Sequence, residues 1–96
     1  MNGAPKYILY CPIMDESRLD AFVEQCLAEK VSLLAIFGPD SRRIEDIVDE
    51  IIVGDGSKED RFMCTTSHPD ESFEDVLAFV QICDQEQAGD IIHARL

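Results

Sequence analysis

Three times in this chain of 96 residues an apolar run stops at a proline, meets an aspartate, and gives way to an acidic amphipathic stretch. The breaks are Cys11-Pro12-Ile13-Met14-Asp15-Glu16-Ser17, Gly38-Pro39-Asp40-Ser41 and Ser67-His68-Pro69-Asp70-Glu71-Ser72. Proline has no N–H and a fixed φ, so it closes a strand yet is tolerated at a helix entrance. An aspartate or serine just beyond it can accept the N–H groups that a first helical turn leaves without partners. The punctuation therefore spells strand, turn, N-cap, helix, three times over.

Hydrophobic periodicity fills in the elements. Residues 6–11 form a short apolar and aromatic strand. Residues 15–30 predict a helix, with Leu19, Phe22, Val23, Cys26 and Leu27 on one stripe and Asp20, Glu24 and Glu29 opposite. Residues 31–37 are nearly continuously apolar, as suits a strand buried on both faces. A second helix starts near Asp40 and buries Ile44, Ile47, Val48 and Ile51. Its end is expected between Asp49 and Ile52, although Ile51-Ile52-Val53 also fits a short strand before the Gly54-Asp55-Gly56-Ser57 turn. A third strand over 61–66, a third helix over 70–86 closed by Gly89, and a last strand over Ile91–Arg95 complete the pattern.

Strands alternating with helices imply right-handed crossovers and a parallel sheet covered on both faces. The expected fold is a single α/β domain over residues 1–96, a small three-layer αβα arrangement of about four mainly parallel strands with three helices. A flavodoxin-like or Rossmann-like strand order follows, with 2-1-3-4 preferred.

Charge excludes some partners. Twenty acidic residues against eight basic ones give a net charge of −12, which repels phosphate backbones and anionic lipid surfaces. No nucleic-acid or membrane partner is expected; the acidity serves solubility or meets another protein with a basic surface. Apolar runs such as Leu33 to Phe37 fall far short of the ~20 residues of a membrane span. The first residues, Met1-Asn2-Gly3-Ala4-Pro5-Lys6, lack a signal-type apolar segment, so a cytoplasmic setting is expected. Cysteines 11, 26, 64 and 83 lack the close pairing of zinc sites, and Cys26 and Cys83 sit on apolar stripes as small hydrophobes. No metal or cofactor is called for, since neither dinucleotide nor P-loop fingerprints occur.

Ligands of open parallel sheets bind at the carboxyl ends of the strands. Those ends carry Cys11, the segment Gly38 to Arg43, and Thr65, Thr66, Ser67 and His68. Arg42 and Arg43 oppose the helix dipole, which prefers acids in a first turn. With Asp40, Ser41 and the helix N–H groups they would hold a phosphate or carboxylate. The plainer and favoured reading is surface pairing of Arg42 with Glu45 or Asp46, and of Arg43 with Asp46. Cys11 and His68 would form a thiol–imidazole pair if the first and third strands were neighbours. Otherwise Cys11 is the last buried residue of its strand and His68 a helix-entrance residue. His93 reads as a half-buried structural residue. A receiver-type phosphoacceptor is excluded, because the third strand ends in Thr65-Thr66 rather than aspartate and no fifth strand supplies a lysine.

The third helix carries more apolar surface than one face needs. Phe73, Val76, Leu77, Val80 and Cys83 share a stripe, while Phe79 and Ile82 point elsewhere. Exposed groups of this kind mark interfaces, and a homo-oligomer, a dimer, is expected from them. The plainer reading covers Phe79 with the C-terminal chain and leaves Ile82 a single exposure.

The stretch Arg61-Phe62-Met63-Cys64-Thr65-Thr66-Ser67-His68-Pro69-Asp70-Glu71-Ser72-Phe73-Glu74-Asp75-Val76 resembles a segment of a small, functionally uncharacterised bacterial family. In that family a strand ending T-T-x-H runs into an acidic helix. Gly38-Pro39-Asp40 and Ile91-Ile92-His93 fit it loosely. The resemblance implies a bacterial source and a compact α/β fold, and transfers no catalytic residue.

The functional expectation is a non-enzymatic, self-associating α/β interaction domain. Alternatives are an anionic-ligand site using Arg42, Arg43 and the Thr65–His68 loop, and a Cys11/His68 thiol enzyme.

Overall fold

Ile8, Leu9, Leu34, Ala35 and Ile36 have no exposed surface, and they decide which strands lie in the middle of the sheet. The computed structural model describes residues 5–54, 63–82 and 91–96. In chain order these form β1 (Lys6–Tyr10), a 3-10 turn (Glu16–Arg18) leading into α1 (Leu19–Ala28), β2 (Leu33–Phe37), α2 (Ser41–Val53), β3 (Cys64–His68), α3 (Phe73–Ile82) and β4 (Ile91–Arg95). The strands make one parallel sheet in the order β3-β2-β1-β4. The small α/β domain is therefore as expected, in the Rossmann-like order rather than 2-1-3-4. Polarity explains the correction. An order of 2-1-3-4 would bury β3 on both faces, and its Cys-Thr-Thr-Ser-His sequence brings hydroxyls that a central position leaves hard to satisfy.

Alternate residues of the central strands feed two cores. Tyr7, Leu9, Leu34 and Ile36 face α1 and α2, where they meet Leu19, Val23, Cys26, Ile44 and Val48. Ile8, Leu33 and Ala35 face α3 and meet Val76 and Val80. Lys6 is buried on this second face, and its Nζ donates to the Val80 carbonyl at 3.0 Å. A cation there suits the carbonyl end of α3.

Two of the three proline breaks end in side-chain caps. Asp15 Oδ1 accepts the Ser17 N–H at 3.1 Å, capping the 3-10 turn rather than α1 itself. Ser72 Oγ accepts the Asp75 N–H at 3.2 Å, so α3 begins at Phe73 and not at residue 70. Asp40 makes no such cap; it sits in the left-handed region at φ 72°. The ambiguous Ile51-Ile52-Val53 is helical, and α2 stops at Gly54, φ 58°. Expectations for Gly89, Cys83 and residues 55–62 lie outside the described residues. Among those described, no helix is long and apolar enough to cross a membrane.

Candidate functional site

The carboxyl ends of the strands form one rim, and glycine brings two of its loops together. Gly38 has φ 109°, and a Cβ there would lie 2.6 Å from the Cys11 carbonyl oxygen. Only glycine fits so close a crossing at that φ. Backbone bonds lace the rim further: Cys11 N–H to Phe37 O at 2.7 Å, Gly38 N–H to His68 O at 3.1 Å, and Asp15 N–H to Leu96 O at 3.2 Å.

Cys11 and His68 do not form a pair. They end β1 and β3, which β2 separates, placing the strand axes roughly 9–10 Å apart. Burial, with the Asp40 carboxylate close by, pushes the Cys11 thiol up to about 11, the wrong direction for a nucleophile. His68 is buried and engaged at both ring nitrogens. Nδ1 lies 2.8 Å from Glu71 Oε1 and Nε2 lies 2.8 Å from Thr66 Oγ1. A carboxylate only accepts, so Nδ1 donates to Glu71, while Nε2 and the Thr66 hydroxyl share the second hydrogen bond. The ring also packs on Phe79, centroids 5.2 Å apart. That contact half-buries Phe79, whereas Ile82 is 62% exposed.

Arg42 and Arg43 part company. Arg43 Nε donates to Asp40 Oδ2 at 2.9 Å and its Nη1 to Glu16 Oε1 at 3.1 Å. These bonds hold both carboxyls below their usual range. Arg43 is thus neutralised in place, by acids other than the Asp46 expected. Arg42 is exposed and has no carboxylate partner among the described residues. The two line a cleft of about 390 Å³ with Asp40, Pro69 and Asp70, whose carboxylates make it a poor anion site. Ser41 is fully buried, and its Oγ has no hydrogen-bond partner among the described residues. Thr65 Oγ1 lies 2.8 Å from Asp49 Oδ1 and 3.1 Å from Glu45 Oε2, turned towards α2 and away from His68. Ser67 is half-buried beside it.

A cluster that no sequence pattern singled out lies between β1 and β4. Tyr10 and Arg95 are register partners, as are Ile8 and His93, so Tyr10, His93 and Arg95 share the α3 face. The Arg95 guanidinium lies over the Tyr10 ring, 4.2 Å from its centroid. Tyr10 Oη is 2.6 Å from His93 Nδ1, and Phe73 stacks against Tyr10 at 6.0 Å. Phe37 closes the cluster edge-on. His93 and Arg95 are exposed, not half-buried structural residues. Reading β3 as an edge strand would have revealed the cluster, since it makes β1 and β4 neighbours.

Among the described residues no group of three or more histidine, cysteine or acidic side chains could hold a metal ion. Comparison with known families matches residues 7–94 to the domain of unknown function DUF7684. The chain belongs to that family. Its membership agrees with the functionally uncharacterised family expected from the Arg61–Val76 segment. Curated proteins and solved structures give no match to this DUF7684 domain.

Proposed function

We propose that the chain is a non-enzymatic, cytoplasmic interaction module, two copies of which join along β4. The observation that carries this reading is the outer edge of β4. Among the described residues β4 pairs only with β1, and Ile92, His93 and Arg95 are exposed. An uncovered edge presents unpaired backbone groups that template another strand. Parallel sheets ordinarily have both faces covered, so so bare a strand suits a surface that is buried in an assembly.

Charge permits a second copy as the occupant at this edge. A chain of net charge −12 meets its own copy against strong repulsion unless the contact is free of acids. β4 carries no carboxylate, while the other edge has Glu45, Asp49 and Glu71 hydrogen-bonded to β3 side chains or held in their network. A two-fold antiparallel pairing of β4 with β4 would continue the sheet and cover Ile92 twice, because the contact is self-complementary.

The thiol-enzyme alternative loses support from the separation of Cys11 and His68, and the Arg42–Arg43 anion site from its own carboxylates. Native mass spectrometry tests the proposal: a dimer mass is expected for the unaltered chain and a monomer for Ile92→Lys. A monomer for the unaltered chain at every concentration, or a dimer mass unaffected by Ile92→Lys, would overturn it.

A further inference from the structure

The rim between β1 and β4 shows a combination found at no other described place in the molecule. A guanidinium there has no carboxylate partner among the described residues, and it rests on an aromatic platform that other rings extend. The Arg95 guanidinium lies over the Tyr10 ring, and among the described residues its N–H groups have no hydrogen-bond acceptor. His93 uses Nδ1 on the Tyr10 hydroxyl, and among the described residues its Nε2 has no partner. If Tyr10 donates to Nδ1, the neutral ring carries its proton on Nε2 and adds an outward donor. Two donors from successive same-face positions of β4 thus lie beside the half-buried rings of Tyr10 and Phe73. The place is also where an order of 3-2-1-4 reverses direction, between β1 and β4, the crevice in which open parallel sheets receive ligands.

We propose that Tyr10, Phe73, His93 and Arg95 form a binding site for a small molecule carrying a carboxylate beside a flat apolar ring. The guanidinium fork matches the two oxygens of a carboxylate, and the ligand's ring meets the partly exposed rims of Phe73 and Tyr10, since the guanidinium itself covers a face of Tyr10. Phosphate fits less well. In the loop after β1, Pro12 has no N–H, and the N–H groups of Cys11, Asp15 and Ser17 are already bonded to Phe37 O, Leu96 O and Asp15 Oδ1. Asp15 and Glu16 in that loop repel a doubly charged group more than a singly charged one.

The site is built from one chain, so it does not depend on pairing along β4. The test is a ¹H–¹⁵N chemical-shift titration of the whole chain with benzoate, benzyl alcohol and inorganic phosphate. Benzoate should give saturable shifts at Tyr10, His93 and Arg95, and the other two probes should not. Arg95→Gln should weaken benzoate binding roughly tenfold or more, as loss of a charge-assisted hydrogen bond does. Arg95→Lys should weaken it too, because a point charge lacks the fork. Ile92→Lys should leave it unchanged, which separates this site from the proposed dimer contact. Absence of saturable benzoate shifts, equal response to benzyl alcohol, or full binding in Arg95→Gln or Arg95→Lys would overturn the proposal.

Discussion

The two edges of the sheet are built from strands of equal length and treated in opposite ways. On β3 the polar side chains turn inward to partners of the same chain. Thr65 meets Glu45 and Asp49 on α2, and Thr66 meets His68, which Glu71 holds from the other side. Phe79 of α3 then packs over His68. On β4 the polar side chains turn to one another and to solvent: His93 and Arg95 gather round Tyr10 and keep donors free. Polarity alone does not mark a functional edge. What distinguishes β4 is polarity left unneutralised in a strongly acidic chain, and what marks β3 as structural is that its hydrogen bonds close among themselves.

The same contrast separates the arginines. Arg43, in the most unusual sequence segment, is neutralised by Asp40 and Glu16. Arg95, in an unremarkable closing strand, is without a carboxylate among the described residues.

The largest expected effect contrasts lysine substitutions at the two edges. Ile92→Lys should weaken self-association about a hundredfold, since the two-fold contact would bury a lysine charge twice where it covered an isoleucine twice. Thr65→Lys on β3 should leave association unchanged, and sedimentation velocity over a dilution series reads both. Equal effects at the two edges would erase the distinction between them. Next comes His68→Ala, expected to cost about 2 kcal/mol in urea unfolding because it strands Thr66 and opens space beside Phe79. A loss near zero would mean that the β3 network is not structural. The smallest effect is at the rim between the edges. Ser41→Ala should raise stability by about 1 kcal/mol, because it removes a buried hydroxyl without a partner. A destabilised variant would show that Ser41 Oγ does have a partner in solution.

Much of the fold was legible because its signals are local. Pro12, Pro39 and Pro69 mark the three strand-to-helix turns, and Leu19, Val23 and Cys26, like Ile44 and Val48, are buried on the stripes their spacing predicts. Strand order was legible too, but in polarity rather than periodicity: Thr65-Thr66-Ser67 belongs at an edge. An order of 2-1-3-4 disregards that polarity and sets Cys11 beside His68, where the observed order sets Tyr10 beside Arg95. Arg43's partners were hidden for another reason. Glu16 is 27 positions away in sequence, and helical spacing rules see only neighbours three or four apart. Phe79 looked surplus on a helical wheel because the wheel does not show His68 beneath it.

Hydrogen exchange of backbone amides, measured at high and at low protein concentration, tests the central claim most directly, since β3 serves as the control within the same molecule. The account predicts that amides of Ile91–Arg95 gain protection as concentration rises while those of Cys64–His68 stay unchanged. Protection at β4 that does not depend on concentration, or a gain at β3 instead, would contradict it.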